Sequence, residues 1–179
     1  GYGLDLANEL KTLEVIRVLN REGPLELVAT FLGAHVVPPE YRRRPQAYVD
    51  FLIHRMIPAV ASHGLAEFCD VFCDRGAFTP SQARQILKAG RVCGMEPRLH
   101  ANQLAPTGAA RLAVDLHAAS ADHVEHITPA DIRALAKSDT VATLLPGAVF
   151  HLGKDTYPPA RKLIDAGAAV ALATDFNPG

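Results

Sequence analysis

His35, Asp74, His100, His123 and Asp175 each fall at or near the end of a short apolar run, where a side chain is well placed to do chemistry. His100, His123 and Asp175 make the most suggestive set. Two imidazoles and a carboxylate from separate runs suit Zn²⁺ or Fe, which take nitrogen and oxygen donors. Each residue also has an ordinary use. A lone histidine at a strand end often serves structure, and an aspartate just after a strand forms turns or caps helices. Asp74 reads as such a turn former and His126 as structural. His54, His63, His117 and His151 read as surface or helix-end residues. Spacing alone leaves a metal site and a set of structural residues both open. Cys69, Cys73 and Cys93 read as small buried hydrophobes, and Arg42-Arg43-Arg44 as a solvated charge run.

The elements that must position these residues alternate regularly. Leu25–His35, Glu67–Asp74, Pro97–Asn102, Ser120–His126, Val141–Gly147 and Ala169–Phe176 read as strands. Nearly continuous apolar runs of this kind fit strands covered on both faces. Between them the apolar spacing predicts helices over Leu6–Arg21 and Ala47–Ser62, after Thr79-Pro80, near 108–118, over 129–137 and over 158–166. Thr79-Pro80 and Thr128-Pro129 are threonine caps followed by proline at the first helical position. The repeat is that of an α/β protein with a parallel sheet, either an open doubly wound sheet or a closed (β/α)₈ barrel. No G-x-G-x-x-G follows a strand, which removes the best sign of the open sheet. Carboxyl ends of barrel strands form one face, so His35, His100, His123 and Asp175 would converge there.

Composition narrows the class. The chain has 179 residues, 49% of them apolar, with 18 basic and 19 acidic side chains and a net charge of −1. That is too apolar and too balanced for a disordered tail, and it lacks the basic excess of a nucleic-acid binder. No apolar run approaches the ~18–20 residues of a membrane span. Three cysteines give no disulfide framework, which points to a reducing compartment. Neither a G-x-x-x-x-G-K phosphate loop nor a G-x-S-x-G elbow occurs. A complete (β/α)₈ barrel takes about 250 residues, and the ends at Gly1 and Gly179 read as cuts in something larger.

Seven motifs carry a resemblance along the whole chain, in order: Gly1-Tyr2-Gly3-Leu4, Thr30-Phe31-Leu32-Gly33-Ala34-His35, Asp70-Val71-Phe72-Cys73, Arg98-Leu99-His100-Ala101, Ser120-Ala121-Asp122-His123, Leu144-Leu145-Pro146-Gly147-Ala148 and Ala173-Thr174-Asp175-Phe176-Asn177-Pro178-Gly179. With these the sequence closely resembles the imidazolonepropionase family of the amidohydrolase superfamily. The resemblance implies a partial TIM barrel. It would run from the end of strand 2 through strand 8 and lack strand 1, with its H-x-H metal pair, and the β-sandwich domain. Residues 1–179 would then be the central part of a catalytic domain. It implies metal-dependent hydrolysis of the cyclic amide of 4-imidazolone-5-propanoate to N-formimidoyl-L-glutamate in histidine degradation.

The family's roles carry over position by position. His100 and Asp175 match metal ligands for one Zn²⁺ or Fe³⁺ per subunit. Asp175 also matches the proton shuttle, and His123 and His35 the groups that would stabilise an oxyanion. Tyr2, His35 and Gln103 match positions on the imidazolone substrate, and Asn177 and Gly179 positions on the glutamate-like end of the product. A cytoplasmic location and a homodimer of the full-length protein are further expectations. Asn102 and Asp74 depart from the acid and the Glu expected at those positions, and neither is assigned to the chemistry. Another amidohydrolase, either a deaminase or a different cyclic-amide hydrolase, is one alternative. A catalytically inactive barrel piece serving as a binding module is the other, and the isolated piece lacks H-x-H.

Overall fold

Two threonine caps set the rhythm of the fold. Thr79 and Thr128 each accept the backbone N–H three residues on, and Gln82 and Asp131 accept the cap residue's own N–H in return. Each reciprocal pair satisfies two donors that a helix start leaves orphaned. A proline follows at the first helical position, where its missing N–H costs nothing. The computed structural model describes residues 3–177, so the expectations for Tyr2 and Gly179 lie outside the described residues.

The chain forms two units. The first takes the described residues up to Phe72, with Gly76–Arg98. It opens with α1 (Leu6–Glu22), capped by Asp5. β1 (Thr30–Ala34) and β2 (Phe68–Cys73) pair in parallel, Thr30 opposite Phe68 and Phe31 opposite Cys69. Between them a short 3₁₀ turn (Pro39–Tyr41) precedes one long helical run, α2 (Pro45–Phe51), a wide turn over Leu52–Met56 and α3 (Ile57–Ser62). The wide turn has a cause. Pro58 offers no N–H and its ring would clash one turn back, so the helix loosens ahead of it. Ile57 N–H accordingly bonds Leu52 O, five residues back. Tyr48, fully buried, sets its hydroxyl 2.8 Å from Gly33 O and 3.1 Å from Leu4 O. α4 (Pro80–Val92) buries Ala83, Ile86, Leu87 and Gly90.

The second unit takes Cys73–Arg75 with the described residues from Leu99. β3 (Glu96–Ala101) is divided between the units at Arg98 and Leu99. The second unit continues with α5 (Ala109–Asp115), β4 (Ser120–His123), α6 (Pro129–Leu135), β5 (Val141–Leu144), α7 (Pro146–His151), α8 (Ala160–Asp165) and β6 (Val170–Leu172). β4 and β5 pair in parallel, Ser120 opposite Val141, and β5 and β6 likewise, Ala142 opposite Val170. The strands are hydrogen-bonded in the order β1-β2-β3-β4-β5-β6, the consecutive order that βα repeats give in a barrel wall.

Every predicted strand is present; β3 keeps the length of its run but starts one residue earlier, and the other five are shorter than theirs. The largest correction is at Val141–Gly147, where the strand stops at Leu144 and Pro146 starts α7. An apolar run that passes from strand to helix hides the boundary from periodicity, and only the proline marks it. No helix among the described residues is long and apolar enough to cross a membrane.

Candidate active site

Asn102 organises the site from behind. It follows β3 directly, is fully buried and adopts a left-handed φ of 56°. Its Oδ1 accepts the Ala110 N–H at 2.8 Å, and its Nδ2 donates to His126 O at 3.3 Å. His126 N–H donates back to Asn102 O at 2.9 Å, and Val124 N–H donates to Ala101 O at 3.0 Å. An aspartate there would keep the first bond and lose the donor of the second, so the amide suits this position. These bonds tie the end of β3 to the residues after β4 and fix two histidines relative to each other. The rings of His100 and His123 stand 5.3 Å apart between centroids, tilted by 43°.

Asp122 joins them. One of its carboxylate oxygens and a ring nitrogen of His100 lie within 4.8 Å of each other. His123 is nearly sealed, its side chain 2% exposed, and Glu125, at 3%, lies 3.7 Å from its Nδ1. Sequence reasoning passed over both acids. The signal for Asp122 was a charged residue inside an apolar strand next to a histidine. For Glu125 it was an acid two positions beyond that histidine.

The other sequence-predicted residues are placed as follows. His35 follows β1 in the first unit, half-buried, its ring 5.8 Å from Phe72. Asp70, in β2 of that unit, is a further buried carboxylate that the sequence reading left without a role. Asp175 is half-buried beyond β6, with φ 53°, and does not lie within 4.8 Å of both His100 and Asp122. Asn177 is exposed and donates from Nδ2 to Asp175 O at 2.8 Å. Gln103 is half-buried and lines a cavity of about 450 Å³ with Arg75, Leu104, Glu125, His126 and Lys154 among its neighbours. Asp74 is the turn former the sequence suggests, accepting Arg75 N–H at 2.6 Å and Leu104 N–H at 2.9 Å. His54, His63, His117 and His151 are exposed, as are Arg42, Arg43 and Arg44.

Cys69 and Cys73 are buried as expected, whereas Cys93, just past the end of α4, is only half-buried. Burial, with the nearby Asp74 charge, pushes Cys73 up to about 12, and burial pushes Cys69 still higher. Both stay protonated at neutral pH, and a protonated thiol is neither a nucleophile nor a good metal ligand. An imidazole beside a carboxylate is instead the donor chemistry of Zn²⁺ and Fe.

No protein-family model matches the chain. All 179 of its residues align with the imidazolonepropionase of Myxococcus xanthus at 52% identity. The imidazolonepropionase of Geobacillus kaustophilus aligns over the same 179 residues at 50%. The whole chain is similar to imidazolonepropionases. It spans 42% of the length of each of these two imidazolonepropionases. Solved structures agree on the fold. The 5-methylcytosine deaminase of Klebsiella pneumoniae matches 98% of this chain over 47% of its own, with a TM-score of 0.69 at 14% identity. The adenine deaminase of Arthrobacter aurescens matches 90% over 48%, with a TM-score of 0.65 at 16% identity. The sheet order and these likenesses make the fold part of a (β/α)₈ barrel, and the imidazolonepropionase similarity covers that part end to end.

Proposed function

We propose that the protein carrying this segment hydrolyses the cyclic amide of 4-imidazolone-5-propanoate to N-formimidoyl-L-glutamate, a step of histidine degradation. One observation carries the reading: about half of all 179 positions are identical to those of imidazolonepropionases, from end to end. The cavity chemistry supports it. Its lining mixes the basic Arg75 and Lys154 and the acidic Glu125 and Asp155 with the Gln103 amide, so a planar, hydrogen-bonding ring with a carboxylate tail would find polar partners there.

The donor set fits a metal ion. His100 offers an imidazole nitrogen and Asp122 a carboxylate oxygen within 4.8 Å of it, and the family pattern adds Asp175 as a ligand with His100. When bound, Zn²⁺ or Fe supplies Lewis-acid polarisation of the ring carbonyl and makes water acidic enough to react near neutral pH. The protein's own groups do the rest. The Asp175 carboxylate accepts a proton from the attacking water and later delivers one to the leaving ring nitrogen. His35 is assigned to the oxyanion that develops on the carbonyl, and His123 to contact with the substrate, its Nε2 accepting a hydrogen bond there. Gln103 and Tyr2 orient the ring, and Asn177 and Gly179 hold the glutamate-like end of the product. A reducing cytoplasm and a homodimer are the setting this reading implies.

The test uses the segment together with the regions its relatives have on either side. Ring opening is followed by loss of imidazolone absorbance. Asp175→Asn lowers kcat by about 10²–10⁴-fold, the worth of a positioned acid–base group; activity near wild type ends its assignment as proton shuttle. His100→Ala is checked by metal analysis of the folded protein. Full metal content in that variant removes His100 from the ligand set. Ammonia release from aminopurines or cytosines without imidazolone turnover replaces the reading with a deaminase.

A further inference from the structure

We propose that Glu125 is a positioning residue for His123, fixing the imidazole so that Nε2 is its working nitrogen. The inference rests on the function proposed above and deepens it. Both Glu125 carboxylate oxygens and His123 Nδ1 are sealed from solvent, and none has a hydrogen-bond partner among the described residues. A buried carboxylate without a partner is costly and rare in folded proteins. An ion-pair contact explains it: Glu125 Oε1 lies 3.7 Å from His123 Nδ1, one small side-chain adjustment from a charge-assisted hydrogen bond.

The backbone is bent to make this pairing. His123 and Val124 adopt φ values of 80° and 58° in succession. For a β-branched valine that conformation is a genuine outlier, and such strain persists only where the surroundings over-determine it. The surroundings do so here. Val124 N–H is held by Ala101 O and His126 N–H by Asn102 O, so the turn is clamped to the end of β3 on both sides of Glu125. The same clamp holds the His123 ring 5.3 Å from that of His100. Which imidazole nitrogen carries the proton is set by the hydrogen bond the other one makes. A carboxylate on Nδ1 keeps a proton there and leaves Nε2 to meet the reacting groups.

The experiment uses the protein with its flanking regions. Glu125→Gln keeps the volume, and Glu125→Leu fills the space without an acceptor. Both lower kcat at least about tenfold, the scale seen when the group orienting a functional histidine is lost, while KM changes less than about twofold. In a His123→Ala background, Glu125→Gln has no further effect on kcat, because its action runs through the missing ring. A readout independent of turnover is the ¹⁵N spectrum of labelled histidine, with the His123 signals assigned by their loss in His123→Gln. The wild type shows Nδ1 protonated, and Glu125→Gln shifts the ring toward the other tautomer. Unchanged His123 signals in Glu125→Gln overturn the proposal. So does a loss of kcat that is equal with and without His123, which marks a merely structural role. If the wild type opens no imidazolone ring, the function proposed above fails, and the histidine spectrum alone still decides the role of Glu125.

Discussion

Cys69, Cys73 and Tyr48 show how burial of single residues makes the protein sensitive to alkali. Burial comes first in raising all three, with the Asp70 charge also acting on Cys69, the Asp74 charge on Cys73 and the Glu9 charge on Tyr48. The unfolded thiols titrate near 9.0 and the phenol near 10.0, whereas folded Cys73 reaches about 12 and the other two lie higher. The folded state therefore holds protons that the unfolded state releases. The stabilisation is complete below about pH 9 and is lost as pH rises through the thiol and phenol ranges toward 12. Urea midpoints at pH 8, 9.5 and 10.5 should fall in that order, and Cys73→Ala should flatten the decline. A midpoint that holds steady to pH 10.5 contradicts it. Other features of single residues were legible without the structure: the strand-end histidines, the turn-forming Asp74 and the buried thiols of Cys69 and Cys73 follow from residue type and place, while Cys93, read as buried, is half-exposed. Glu125 was not, because its meeting with His123 depends on two consecutive left-handed residues that nothing in the local sequence demands.

Among the elements, α4 and β2 meet at a position where two effects oppose each other. Gly90 lies inside α4, and replacing a helical glycine by alanine ordinarily gains about 1 kcal/mol. A Cβ at Gly90 would stand 2.7 Å from Cys69 Cβ and 2.9 Å from its Sγ. Overpacking of this kind costs about 1–3 kcal/mol, and the Cβ of a strand residue cannot swing away as a long side chain can. The clash wins, so Gly90→Ala lowers the thermal midpoint of the protein. Gly94, at φ 86° with open space around it, is destabilised by alanine for a different reason, the strained backbone. Adding Cys69→Ala to each variant separates the causes: it removes the Sγ contact and partly restores Gly90→Ala, and it leaves Gly94→Ala unchanged. Equal effects of Cys69→Ala on both would remove the packing explanation. The existence and order of these elements were readable because the period and the caps agree. Their ends were not, since apolar runs cross from strand into turn at His123–His126 and from strand into helix at Leu145-Pro146.

For the whole molecule, β6 is the strand most open to association. A parallel βα wall covers both faces of a strand, yet in β6 Ala171 and Leu172 are exposed, Leu172 at 76%, and Phe176 just beyond it at 93%. Apolar side chains beside unpaired strand edges template pairing with another chain. Edge burial on this scale is what the closure of a barrel supplies, because a closed sheet has no free edge. The 179-residue chain by itself should therefore self-associate as its concentration rises, read as a growing mass in light scattering coupled to size-exclusion chromatography. Leu172→Lys places a charge on the open strand, the device natural edge strands use against pairing, and shifts the population toward monomer. The same substitution in the chain with its flanking regions acts in the opposite sense: there it buries a charge at strand pairing and lowers the melting temperature. A 179-residue chain that stays monomeric at all concentrations, or a Leu172→Lys variant that associates as readily as the parent, would show that exposure at β6 does not drive association.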